Sequence, residues 1–163
     1  MRPDTGGFTE FYQQHGDRIY RFCFRLCGSA SDAEDLTQEV FLAAFQSQDR
    51  FQGRSSVQTW LYKIALNCWR QSRRKPQLDT GVLEDDARQA GVGLEQAVTD
   101  SLALTCALNA LAPDLRETFL LVRAEGLTYR EAAQVLEIPQ GTVQWRVHEA
   151  SRRLRALLTD TTD

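Results

Sequence analysis

Residues 127–158 read LTYREAAQVLEIPQGTVQWRVHEASRRLRALL, and this pattern admits few structures besides a short helix, a tight turn and a longer basic helix. Thr128 followed by Glu131 predicts a capping box, in which hydroxyl and carboxylate satisfy the free N–H groups of a helix start. Ala132, Ala133, Val135 and Leu136 give that helix a small apolar face. Small side chains let a second helix approach closely. Pro139 suits the first turn of the next helix, where its missing N–H costs nothing. Val143 and Val147, four apart, should anchor that helix from below. Gln140, Thr142, Gln144, Arg146, His148, Arg152 and Arg153 then fall mostly on outer faces. Amide, hydroxyl and guanidinium groups are what base edges and phosphates need, so a helix-turn-helix is expected. An ordinary helical hairpin with a solvated basic face is the plainer alternative.

A net charge of −3 would argue against a nucleic-acid partner if it were evenly spread, but it is not. Residues 28–49 hold five acids and no base, and residues 50–75 hold seven bases and no acid. Residues 76–100 carry six acids and one Arg, whereas 140–158 carry four Arg and one Glu. Blocks of one sign are what an electrostatic footprint requires. The acidic blocks will avoid DNA and suit a basic protein surface. The chain is 42% hydrophobic and 25% charged over 163 residues, which fits one globular domain or two small ones. No apolar run approaches a membrane span of about 18 residues. The start, MRPDTGGFTEF, lacks the apolar centre of a signal peptide. These features predict a cytosolic protein with no membrane insertion.

Helical periodicity predicts an all-α fold. A first helix runs from about Phe8 to Leu26, with an apolar band of Phe8, Phe11, Tyr12, Ile19, Tyr20, Phe22, Cys23 and Leu26. A second follows Gly28, with Ser31 and Glu34 as its capping box. Its Ala33, Leu36, Val40, Phe41, Ala44 and Phe45 point one way, and Asp32, Asp35, Gln38 and Glu39 lie on exposed faces. The acids at its start suit the helix dipole; Glu39, mid-helix, is not explained that way. A polar loop, 49–56, leads to a third helix from near Thr59. There Trp60, Leu61, Ile64, Ala65 and Cys68 can face a core, while Lys63, Asn67, Arg70, Arg73 and Arg74 form a basic ridge. Pro76 ends it. Residues 76–100 read as an acidic flexible linker, and helical pattern returns near Ser101. Pro113 opens a further helix whose Leu115, Phe119, Leu120 and Val122 build a small core, ended by a left-handed Gly126. Two small helical domains, 1–75 and 101–163, joined by the linker 76–100, are therefore expected. Each should have a thin core.

The cysteines are Cys23, Cys27, Cys68 and Cys106, with no C-x-x-C pair. They read as small buried hydrophobes, with a thiol sensor or metal site at Cys23 and Cys27 as the alternative. No cofactor, no metal and no catalytic group is expected, since no nucleophile–base pair or phosphate loop is present.

DAEDLTQEVFLAAF, the Ser-Ser loop with TWLYKIALN, ALNALAPDLRETFLL and the hairpin above, taken in this order, resemble the extracytoplasmic-function group of bacterial RNA polymerase sigma factors. The resemblance spans about residues 8–75 and 105–158. It implies a protein that binds core RNA polymerase, directs it to specific promoters and helps melt them, without catalysis of its own. It implies that the acidic second helix docks on the polymerase through Asp32, Asp35, Leu36, Gln38, Glu39 and Phe41. The loop and third helix would recognise the minus-ten element and hold an extruded non-template base, through Phe51, Arg54, Ser55, Ser56, Thr59 and Trp60. Extruding a base costs a few kcal/mol of unstacking, which a polar, partly apolar pocket must offset. Lys63, Asn67, Arg70, Arg73 and Arg74 would track phosphates of duplex and melted strand. The hairpin would read the minus-thirty-five element through Gln140, Thr142, Gln144, Trp145, Arg146, His148, Glu149, Arg152 and Arg153. The linker would thread into the polymerase channel, and an anti-sigma factor is an implied partner. The chain departs from the family's habit at Gln71, Gln144, Trp145 and Glu149. Trp145 could reach a thymine methyl or a partner surface. The competing function is a stand-alone helix-turn-helix transcriptional regulator.

Overall fold

The computed structural model describes the backbone of residues 5–74 and 95–160 and the side chains of 6–74 and 102–160. Most of the predicted linker lies outside the described residues. Among the described residues the structure is helical, with no strand. The helices are α1 (Thr5–Cys27), α2 (Ala30–Ser47), α3 (Val57–Arg74), α4 (Glu95–Ala110), α5 (Pro113–Phe119), α6 (Tyr129–Leu136) and α7 (Gln140–Asp160). Helix α5 continues into a wider π turn at Leu120–Ala124. Helix α4 thus begins inside the stretch predicted as linker. No helix among the described residues is long and apolar enough to cross a membrane.

Helices α1, α2 and α3 pack on one another around Ile19, Phe22, Leu26, Val40, Leu61, Tyr62 and Leu66, all at most 1% exposed. Phe22 and Tyr62 meet edge to face, with ring centres 5.0 Å apart. Gly28 turns the chain out of α1 with φ +73°, a left-handed conformation that glycine adopts freely. A Cβ there would also run into the Asn109 amide of α4. One expectation needs correction here. Ser29, not Ser31, caps α2, accepting from the Asp32 N–H at 3.4 Å. Both serines precede an acid by three residues, and the glycine turn places Ser29 at the helix mouth. On α3, Leu61, Tyr62, Ala65, Leu66 and Trp69 are buried, and Trp60, Ile64 and Cys68 pack partly buried against the same core, as expected.

The second group of helices closes around Leu115, Leu120, Leu121, Ala132, Val135, Val143, Val147, Ala150 and Leu154. Phe119 and Val122 are partly buried at its edge, and Leu121 takes the central place. Thr128 and Glu131 form the predicted capping box: the Thr hydroxyl accepts the Glu131 N–H at 3.1 Å and the Glu carboxylate accepts the Thr128 N–H at 2.8 Å. Pro139 lies just before α7, and its carbonyl accepts the Thr142 and Val143 N–H groups. Gly126 is left-handed as expected, with φ +75°.

The two groups of helices touch. Arg116 of α5 is the central tie. Its guanidinium donates to the carbonyls of Leu108 (2.7 Å), Leu26 (2.9 Å), Asn109 (2.8 Å) and Leu111 (3.1 Å). Those acceptors lie in the last turn of α1 and in the last turn and exit of α4, where a helix leaves carbonyls without an intrahelical partner. Fork-shaped donors satisfy several at once.

Cys23 is fully buried and Cys27 half-buried, and burial pushes both thiols up to about 12. Cysteine is a nucleophile and metal ligand as the thiolate, so both behave as small hydrophobes. No group of three or more His, Cys, Asp or Glu side chains among the described residues is placed to hold a metal. A maleimide at pH 8 should label the exposed Cys106 first and Cys23 only after unfolding. Native-state labelling of Cys23 at the rate of Cys106, read by peptide mass spectrometry, would contradict this.

Candidate polymerase and nucleic-acid interfaces

Helix α2 turns its buried stripe inward and leaves Asp32, Asp35, Gln38 and Glu39 exposed on the opposite side. Asp32, Asp35 and Glu39 border a groove of about 370 Å³ whose other wall includes Trp69, Ser72, Arg73 and Arg116. Leu36 and Phe41 are 4% and 3% exposed and belong to the core. Leu36 nonetheless lines the groove beside the acids, whereas Phe41 packs against Phe8, Phe11 and Tyr12 of α1. Leu42, 58% exposed, sits on the acidic side instead. Helical spacing alone places it there, seven residues after Asp35 and four after Gln38.

The loop 51–56 gathers several predicted residues. Phe51 and Trp60 stack with ring centres 4.9 Å apart at 36°. Ser56 caps α3, accepting the Thr59 N–H at 3.1 Å and sharing a 2.9 Å hydrogen bond with the Thr59 hydroxyl. Thr59 is 7% exposed. These two hydroxyls are occupied in building the helix start. Arg54 and Ser56 are exposed, Ser55 and the Phe51–Trp60 pair are half-buried, and Thr59 alone is buried.

Along α3, Trp60, Lys63, Asn67 and Arg74 fall on one outer stripe by helical spacing. Asn67 and Arg74 are exposed. Arg73 lies over the Trp69 ring at 4.9 Å, a cation–π contact that holds it off the stripe. Lys63 and Arg70 are engaged by the second group of helices. Lys63 donates to Glu137 at 2.8 Å, and Arg70 donates twice to one oxygen of Glu117, at 3.1 and 2.6 Å. Burial raises the Glu117 carboxyl, and Arg70 works against that rise. Its hydrogen bond to Lys63 lowers the Glu137 carboxyl.

On α7, Val143, Val147, Ala150 and Leu154 face inward, which puts Trp145, His148 and Arg152 on the outer side. Trp145 is 60% exposed. Gln140 and Gln144 are exposed beside it, and Thr142 is half-buried. Arg146 turns toward Asp114 at 3.7 Å. Glu149 accepts from Arg152 at 2.6 Å and Arg153 at 2.9 Å, and these bonds hold its carboxyl down to about 2. A carboxyl lowered in this way stays ionised below its ordinary range and loses the clamp only as pH falls through about 2. Between pH 5 and 8 both arginines remain tethered. Glu149→Gln should release them, raising affinity for random duplex DNA and steepening its salt dependence by up to about two phosphate contacts. An unchanged slope in salt titrations would contradict that role.

A helical protein that ends in a capped helix-turn-helix is the class this geometry defines. Two family models match: Sigma-70 region 2 over residues 11–77 and Sigma-70 region 4 over residues 101–154. The chain is 35% identical over 158 residues to the ECF RNA polymerase sigma factor SigE of Mycolicibacterium smegmatis, covering 93% of this chain and 61% of that relative. It therefore spans under two thirds of that protein's length. It is 30% identical to the ECF RNA polymerase sigma factor SigW of Bacillus subtilis, over 98% of this chain and 92% of that one. The fold matches the sigma factor RpoE from Bartonella quintana, solved in complex with the anti-sigma factor NepR, with a TM-score of 0.77. That match has 29% identity and covers 93% of this chain and 96% of the other. The chain belongs to the extracytoplasmic-function group of RNA polymerase sigma factors.

Proposed function

We propose that this chain binds core RNA polymerase, carries it to specific promoters and helps open them, acting in the cytoplasm without bond chemistry of its own. Residues 1–75 serve polymerase binding and minus-ten recognition, 76–100 connect, and 101–163 read the minus-thirty-five element. Asp32, Asp35, Gln38 and Glu39 meet a basic polymerase surface, with Leu42 as an apolar contact among them. Arg54, Ser55 and the Phe51–Trp60 pair receive the extruded base, while Lys63, Asn67, Arg70 and Arg74 track the backbone. Gln140, Gln144, Trp145 and His148 reach base edges, and Arg152 and Arg153 take phosphates once released from Glu149. An anti-sigma factor is a fitting partner, by analogy with the RpoE complex.

The observation that carries this reading is the exposed acidic face of α2 on the same chain as an exposed recognition helix. A stand-alone regulator needs only the second. The test is transcription from a promoter selected out of a random library by core polymerase plus this chain. Initiation supports the reading. Tight duplex binding by the chain alone, with no initiation at any selected sequence, supports the regulator.

A further inference from the structure

The basic side of α3 faces two carboxylates of the second group of helices, Glu117 and Glu137, and a third, Glu125, meets α3 and α1 beside them. Glu117 on α5 takes Arg70. Glu125, after the π turn, accepts from the buried Tyr62 hydroxyl at 2.7 Å and pairs with Arg25 at 3.3 Å. Glu137, in the turn of the helix-turn-helix, takes Lys63. Glu117 and Glu125 have side chains only 6% exposed, so these contacts seal an interface rather than decorate it. Glu137 stands at φ +57°, the one non-glycine residue among the described residues with positive φ. Glycine would be unstrained there. A glutamate in that conformation carries a backbone cost, and its visible return is the ion pair with Lys63.

This packing is incompatible with contact at both promoter elements. Helix α6 packs on α3, and α7 packs on α6. At about 8–10 Å between packed axes, the recognition helix lies roughly 20 Å from α3. Two elements about 25 base pairs apart are separated by roughly 85 Å of duplex at about 3.4 Å per pair. The interface must part for both to be held.

We propose that Glu117 and Glu137, with Glu125 bracing the seam through Tyr62 and Arg25, form an intramolecular clasp that masks Lys63 and Arg70 of α3 in a closed state and yields to nucleic-acid phosphate. The carboxylates stand where backbone phosphates would stand, on Lys63 and Arg70. The clasp rests on the promoter-binding reading for its purpose, but its existence can be tested without polymerase.

The test uses the full chain, small-angle X-ray scattering, and a fluorescent single-stranded 20-mer DNA of random sequence. Wild type should be compact at low salt and expand as salt screens the pairs. Glu117→Gln/Glu137→Gly should be expanded already at low salt and bind the strand about fivefold tighter or more, since two cations are freed. Glu137→Gly alone relieves backbone strain, so it folds at least as well as wild type and should shift both readouts part of the way. A control that removes equal charge elsewhere, Glu10→Gln/Asp17→Asn on the exposed side of α1, corrects for net charge. Dimensions and affinity equal to the control in both clasp variants would overturn the proposal. Transcription with core polymerase, run in parallel, separates the two readings. Clasp variants that respond while no variant ever initiates leave the clasp standing and remove its promoter purpose.

Discussion

Reversing Asp35 and Glu39 to Lys is expected to weaken binding to core polymerase by about a hundredfold, because like charges brought together at an interface cost several kcal/mol. Both residues are exposed on α2 and four apart, so they repel each other in the wild type and contribute little to folding. The effect should therefore appear in binding and not in thermal stability. Reversal also places cations near Arg73 and Arg116 across the groove. Unchanged scattering dimensions are the control that this has not parted the two groups of helices. Fluorescence anisotropy of labelled chain against core polymerase measures the effect. Equal affinity of variant and wild type, with the fold intact, would mean that α2 is not the docking face.

Arg116→Ala is expected to cost about 3 kcal/mol or more of stability, since charged hydrogen bonds are each worth roughly 1.5–3 kcal/mol and are not additive. Four carbonyls lose the guanidinium, one of them the Leu26 carbonyl across the interface, and of the four Leu108 keeps a backbone donor, the Leu111 N–H. Burial lowers the Arg116 pKa, yet guanidinium remains charged at any pH of interest. The loss should accordingly be flat with pH between 5 and 8. Urea denaturation of wild type, Arg116→Ala and Arg116→Lys checks it. Lys offers one donor group in place of a fork and should recover only part of the loss. Full recovery by Lys would reduce Arg116 to a simple charge.

These two residues also mark what sequence can and cannot show. The acids of α2 were legible because helical spacing separates them from the apolar stripe within one segment. The same holds for the Thr128–Glu131 box, whose members lie within one turn. Leu36 and Phe41 belong to the family motif and to the apolar stripe that periodicity predicts, and the structure buries both, with Leu36 lining the acidic groove. Arg116 left no local signal: its acceptors are backbone carbonyls from two other helices, one of them 90 residues away. The pairs Arg70–Glu117, Tyr62–Glu125 and Lys63–Glu137 span 47, 63 and 74 residues, beyond any spacing rule. Spacing points to Ser31 as the cap of α2, whereas the turn at Gly28 puts Ser29 at the helix mouth. Ser56 and Thr59 carried the residue types of a base pocket, yet most of their polar capacity closes the start of α3.

Promoter opening is the most direct measurement of the central claim. Core polymerase with this chain, on a selected promoter, should make thymines of the minus-ten element reactive to permanganate while protecting the minus-thirty-five element from nuclease. Phe51→Ala/Ser55→Ala should lose the reactivity and keep the protection, because the loop and the recognition helix act at separate points. Protection of duplex by the chain without polymerase, and no reactive thymine with it, would contradict the account.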